Sequence, residues 1–129
     1  MTTSIAKLFL LLVLIIGTLP GFSKDYKLNS PDHRLQLIVS INEDISLSLS
    51  SDKEALFDAH KLGLNLSKGQ MFGTNPSVRK SKYKEVNEQI HPVIREKFEV
   101  ITDRYNELRI DFRGKQSLEF RLYDDGFAY

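Results

Sequence analysis

The sequence predicts an all-β protein, an antiparallel β-sandwich that follows a signal peptide. Three observations carry that expectation. Apolar side chains recur with a period of two at Leu35, Leu37, Val39 and Ile41, at Ile45, Leu47 and Leu49, and again at Leu108, Ile110, Phe112, Leu118, Phe120 and Leu122. Short polar turns separate these runs, Asn42-Glu43-Asp44 in one case and Arg113-Gly114-Lys115-Gln116 in the other. No segment after the first 23 residues demands a helix of ordinary length, and Pro92 prevents one from continuing through the middle of the chain. Strands with a single apolar face bury it against a second sheet.

Residues 1–23 read as the signal peptide. Lys7 supplies a positive start, Leu8 to Ile16 is an unbroken apolar run, and Gly17, Pro20 and Gly21 interrupt it. Gly21-Phe22-Ser23 places small residues where a signal peptidase reads, so cleavage is expected before Lys24. A membrane span needs about 20 apolar residues, twice what this run offers. There is no cysteine, hence no thiol to carry a lipid anchor and no disulfide framework. The expectation is a soluble exported protein, periplasmic or secreted, with no membrane partner once the signal is removed.

Residues 24–129 hold 17 basic and 17 acidic side chains, because Lys7 alone of the charged residues precedes them. That neutral balance argues against nucleic acid, whose phosphates require a basic face. It argues equally against an anionic membrane surface.

Taken in order, residues 33–50 form the first hairpin. Its serines, Ser46, Ser48 and Ser50, alternate with leucine and isoleucine. Leu62, Leu64 and Leu66 repeat the alternation beside Gly63, and residues 69–76 read as loop. Residues 78–91 fit either a strand or a helical turn. Phe98, Val100 and Thr102 suggest a strand that pairs through a turn at Asp103–Asn106. Residues 108–122 form the second hairpin. The total is about seven or eight short strands, with Leu35, Leu37, Val39, Leu47, Ile110, Phe112, Phe120 and Leu122 expected in the core.

Chemistry is sparse. His33, His60 and His91 share no metal-ligand spacing. Gly63, Gly69 and Gly73 are isolated and open no phosphate-binding loop, and no Gly-x-Ser-x-Gly elbow occurs. Asp124-Asp125-Gly126 pairs two carboxylates, but strand neighbours point to opposite faces and the run reads best as a turn. Glu85, Glu88, Glu96, Glu99 and Glu107 lie among lysines and arginines, the pattern of a solvated face. Asn65-Leu66-Ser67 fits a glycosylation sequon whose meaning depends on the host. Tyr26, Tyr83, Tyr105, Tyr123 and Tyr129 offer rings for stacking on sugar, although without tryptophan a core role leads. No catalytic, cofactor-binding or metal-ligating residue is assigned.

Four stretches together resemble one family. They are Ser30-Pro31-Asp32 with the strand to Ile41, Leu62-Gly63-Leu64, the segment from His91-Pro92-Val93 through Ile101 to Leu108, and Phe120-Arg121-Leu122-Tyr123-Asp124-Asp125-Gly126-Phe127-Ala128-Tyr129. In this order they resemble the N-terminal domain of glycoside hydrolase family 97, bacterial periplasmic α-glucosidases and α-galactosidases. The resemblance implies that residues 24–129 are an incomplete part of that domain. It implies partners outside these residues: a catalytic (β/α)8 barrel, and through it an oligo- or polysaccharide substrate. It also implies calcium for the full-length enzyme. The family's catalytic and calcium-binding carboxylates have no counterparts in this sequence, so the chain alone is expected to be inactive. The alternative is a free-standing secreted β-sandwich that binds carbohydrate or protein.

Overall fold

Leucine–serine alternation closes the most regular hairpin of the molecule. In the structure, a computed structural model that describes residues 24–93 and 99–129, strands β2 (Leu35–Ile41) and β3 (Ile45–Ser51) pair in unbroken antiparallel register. The expected signal peptide and Phe98 lie outside the described residues. Strand β1 (Lys24–Asn29) adds to β2, and β4 (Glu54–Ala59) adds to β3 with a register shift between Leu49 and Ser50. The first sheet therefore runs β1-β2-β3-β4. Neither outer strand is announced by strong alternation. The β3–β4 turn also lacks glycine, although Asp52 and Lys53 both take the left-handed conformation, at φ 48° and 75°.

A minor hairpin follows, β5 (Leu64–Asn65) with β6 (Met71–Phe72), around a single 3-10 turn at Ser67–Gly69. Leu62 lies against the core, but Leu64 and Leu66 are exposed, so the expected apolar strand is cut short. Beside it the backbones of residues 62–63 and 72–73 approach closely. A side chain at Gly73 (φ 106°) would meet the Leu62 carbonyl at 2.2 Å, and one at Gly63 would meet the Phe72 carbonyl at 2.8 Å.

The second sheet holds β7 (Val78–Ile90), β8 (Ile101–Phe112), β9 (Ser117–Leu122) and β10 (Phe127–Ala128), in the order β10-β9-β8-β7. The segment 78–91 thus resolves as a long strand, Val78–Ile90, rather than a helical turn. The turn expected at Asp103–Asn106 does not exist: these residues continue β8 and pair with β7 from Glu85 to Glu88. The inward row of β8 changes character there, from Phe112, Ile110 and Leu108 to Asn106 and Arg104. Polar partners waiting at that end of the molecule let the strand run on.

The two sheets enclose one core. All eight expected core residues are buried, with Tyr26, Leu28, Ile41, Ile45, Leu49 and Leu108 beside them. Phe120 is completely enclosed. The described residues form ten strands, three of them only two residues long, in an all-β antiparallel sandwich.

Candidate functional site

A network of polar contacts lies where the two sheets meet at one end. Ser30-Pro31-Asp32-His33 turns the chain from β1 into β2, with the His33 amide donating to the Ser30 carbonyl at 2.9 Å. Proline at the second position and serine at the first suit such a turn. Ser30 is fully buried. Its hydroxyl donates to Asp32 Oδ1 at 2.6 Å and accepts the Leu35 amide at 3.0 Å. Asp32 also accepts the Arg34 amide at 3.1 Å and pairs with the Arg34 guanidinium. The Ser30 hydroxyl, and then Arg34, hold the Asp32 carboxyl well below the ordinary carboxylate range. The same pairing raises the Arg34 pKa.

The second sheet completes the corner. Tyr123 donates to the Gly126 carbonyl at 2.8 Å, so Asp124-Asp125-Gly126 is the turn between β9 and β10. Asp124 Oδ1 accepts the Asp32 amide at 2.8 Å, joining residues 92 positions apart. Its other oxygen lies 3.8 Å from Arg104. Asn106 Nδ2 donates to the Asn29 carbonyl at 2.8 Å. These are the partners that sustain β8 through its polar half. Ser30-Pro31-Asp32 and Asp124-Asp125-Gly126, separate marks in the sequence, form one latch in the fold. The turn went unread in the sequence, where Pro31 and the Ser30-x-Asp32 spacing are the signal that would have found it; nothing local marks its partner.

The outer face of the second sheet carries a lattice of ion pairs. Arg121 meets Glu119 at 2.8 Å and Glu107 at 3.3 Å, and Arg109 meets Asp111 at 3.0 Å and Glu119 at 3.6 Å. The hydrogen bond to Glu119 raises the Arg121 pKa, and the Arg121 guanidinium also covers the Tyr105 ring at 4.9 Å. Burial pushes the Tyr105 hydroxyl up. Tyr123 sits 5.1 Å from it, ring to ring.

The other sequence candidates do not assemble. His33, His60 and His91 are exposed and lie on separate segments. Among the described residues no three histidines, cysteines or carboxylates come together to hold a metal. Asp32 and Asp124 are already engaged by N–H donors and arginine, so they do not suit a calcium site. Asp125 points into solvent, leaving no free carboxylate pair in the turn. The tyrosines do not form a platform: Tyr26 and Tyr105 are buried, and Tyr83 and Tyr129 are exposed on different strands and segments. An open cleft of about 930 Å³ between Asn42–Asp44 and Asn75–Val78 is polar and has no aromatic wall.

Comparison with known proteins supplies what the local chemistry does not. Residues 28–129 match the family described as Glycosyl-hydrolase 97 N-terminal. A retaining alpha-galactosidase of Bacteroides thetaiotaomicron is 27% identical over 124 residues, which cover 95% of this chain and 19% of that protein. The chain therefore spans about a fifth of the length of the curated relative it matches. The fold is similar to that of a Glycoside Hydrolase Family 97 enzyme from Pseudoalteromonas sp. strain K8, solved in complex with acarbose, at a TM-score of 0.68 and 21% identity. That likeness covers 79% of this chain and 16% of the other. A beta-arabinopyranosidase is similar at a TM-score of 0.64 and 23% identity, over 78% of this chain and 17% of its own. With the family match extending from β1 through the Asp124-Asp125-Gly126 turn to Tyr129, the chain belongs to the glycosyl-hydrolase 97 N-terminal family.

Proposed function

We propose that this chain is the non-catalytic N-terminal β-sandwich portion of a longer, exported α-glycosidase, an α-glucosidase or α-galactosidase. Its role is to support a catalytic (β/α)8 barrel carried elsewhere in the polypeptide, where oligo- or polysaccharide is cleaved with the help of calcium. The observation that carries this reading is the family match over residues 28–129, together with a relative five times longer that is a retaining alpha-galactosidase. Glycosidic cleavage needs two carboxyl groups held about 5–10 Å apart across one bond. The acids of the latch and of the outer lattice are instead spent on amides and arginines. Lys7 and the Leu8–Ile16 run support export.

Two measurements test the proposal. Reading the genomic DNA downstream of the Tyr129 codon is expected to find barrel-coding sequence. Assaying the purified chain with nitrophenyl α-glucoside and α-galactoside, with and without calcium, is expected to show no turnover. Steady hydrolysis that disappears on Asp124→Asn or Glu107→Gln would place the chemistry inside this chain and overturn the reading. Mass spectrometry of the exported protein is expected to find its N-terminus within a few residues of Lys24.

A further inference from the structure

Asp125-Gly126 is the only place in the chain where an aspartate or asparagine precedes glycine. The main-chain nitrogen of the following residue can attack an aspartate carboxyl, and glycine leaves that approach open because it has no Cβ. The fold decides whether such a pair reacts. Asp125 is exposed and makes no hydrogen bond or ion pair among the described residues. Neither Asp124 nor Asp125 takes the left-handed conformation that two-residue hairpin loops favour. The Tyr123 amide and the Gly126 carbonyl close the loop, and among the described residues the Gly126 amide donates no hydrogen bond. The two groups that would form a five-membered ring are therefore both unengaged. Asn29-Ser30 is the contrast. There Asn29 Oδ1 accepts Gln36 Nε2 at 3.0 Å, and the amide of the fully buried Ser30 donates to the Leu35 carbonyl at 2.9 Å. The Asp125 loop also carries the latch: Asp124 Oδ1 accepts the Asp32 amide, and Phe127 pairs with Leu122 across the same loop.

We propose that Asp125 is a site of spontaneous covalent modification, cyclising with the Gly126 nitrogen to a succinimide that opens to isoaspartate and loosens the latch. In the first step the Gly126 nitrogen bonds to Asp125 Cγ. The carboxyl OH and the amide proton leave together as one water. In the second step one water adds back at either ring carbonyl. Breaking the bond from nitrogen to Cγ restores aspartate. Breaking the original main-chain bond instead leaves the chain running through Cβ and Cγ, which is isoaspartate. Nothing is oxidised or reduced, and the only co-reactant is water. The isoaspartyl chain carries one more main-chain atom in the loop. Loop length sets hairpin register, so the extra atom displaces Asp124 from the Asp32 amide and Phe127 from Leu122.

The test incubates the purified, folded chain at about pH 5, where carboxyl groups are partly protonated and their OH can leave as water. Peptide mapping by tandem mass spectrometry, with fragmentation that distinguishes isoaspartate, then reads each site. The peptide holding Asp125 is expected to gain a species lighter by one water and an isoaspartyl species of unchanged mass. Together these are expected to exceed the modification at all other aspartates and asparagines combined. Gly126→Ala is expected to abolish both species. That variant is expected to fold like the parent, because a Cβ at residue 126 meets nothing within 4 Å and its φ is not left-handed. Asp125→Glu is expected to abolish them too, since its longer side chain would have to close a larger ring. Hydrogen exchange by NMR on the separated isoaspartyl form is expected to show a faster Asp32 amide, whereas Gly126→Ala after the same incubation keeps that amide protected. An unchanged Asp125 overturns the proposal, as does greater reaction at Asn29. Modification of Gly126→Ala at the parent's rate, or modification confined to chain unfolded in urea, overturns it as well. An Asp32 amide equally protected in the isoaspartyl form refutes the link to the latch.

Discussion

The hairpins β2–β3 and β8–β9 bury the same kind of surface and show water opposite ones. Inward, both present rows of leucine and isoleucine, with Phe120 and Phe112 added on β8–β9. Outward, β2–β3 carries mainly serine, with Ser40 opposite Ser46 and Ile38 opposite Ser48. β8–β9 instead carries Glu107, Arg109, Asp111, Glu119 and Arg121, linked across the strands. Inner faces of the same apolar kind give two sheets of one sandwich. The outer faces teach that stability is encoded on the inner side: the apolar rows hold the fold, whereas exposed ion pairs contribute little to it.

The largest expected effect breaks the equality of the inner faces. Phe120→Ala removes a fully enclosed ring and is expected to cost about 3–5 kcal/mol in urea denaturation. Phe57→Ala, on edge strand β4 with 43% of its surface exposed, is expected to cost about 1 kcal/mol. Equal losses would show that the β4 edge is as much core as the centre of β9.

The latch joins the two regions and ranks next. Asp124→Ala leaves the Asp32 amide without its acceptor and is expected to cost about 1–3 kcal/mol. Asp124→Asn keeps an acceptor oxygen and loses only the distant Arg104 pairing, so it is expected to cost under about 1 kcal/mol. Asp32 gives the latch a pH dependence. Its carboxyl titrates lower folded than unfolded, so its stabilisation is present above the unfolded carboxylate range near pH 4. That stabilisation is lost as the pH falls from there toward the folded value. Thermal midpoints between pH 7 and pH 2 are expected to fall less steeply in Asp32→Asn than in the parent. A steeper fall in the variant reverses the sign and refutes the assignment.

Smaller effects sharpen the contrast. Lys53→Gly relieves a left-handed side-chain residue in the β3–β4 turn and is expected to stabilise by about 0.5–1 kcal/mol, read as a raised urea midpoint. On the outer face, Arg109→Gln breaks pairs with Asp111 and Glu119 and is expected to change stability by less than about 1 kcal/mol. That difference is expected to shrink further in 1 M salt. A loss above about 2 kcal/mol would make the lattice a structural element and collapse the distinction between the two faces.

The parts of this fold legible in the sequence are those where one local rule suffices. Period-two burial marked both hairpins and the eight core residues expected from them, because a strand with one wet and one dry face must alternate. β1 went unread, because Tyr26 and Leu28 are only two apolar positions among polar ones. β4 was hidden, because an edge strand exposed along most of its length has no alternation to read and its turn uses Asp52-Lys53 in place of glycine. The β7–β8 pairing was misread at Asp103–Asn106, because a polar run looks like a turn until its distant partners are known.

By itself, then, the sequence determined the fold class, the two central hairpins, the core and the family resemblance, all properties of short-range pattern. The tertiary structure alone decided that Ser30, Asp32 and Asp124 share a corner, that β8 runs unbroken to Ile101, and that Asp111 and Glu107 of β8 are taken by arginines. Each of these depends on groups far apart in the chain, such as the 92 residues between Asp32 and Asp124. A polar side chain has no local signature of its partner; its hydrogen bond is assigned only when packing of the apolar rows has fixed which ends of the sheets meet.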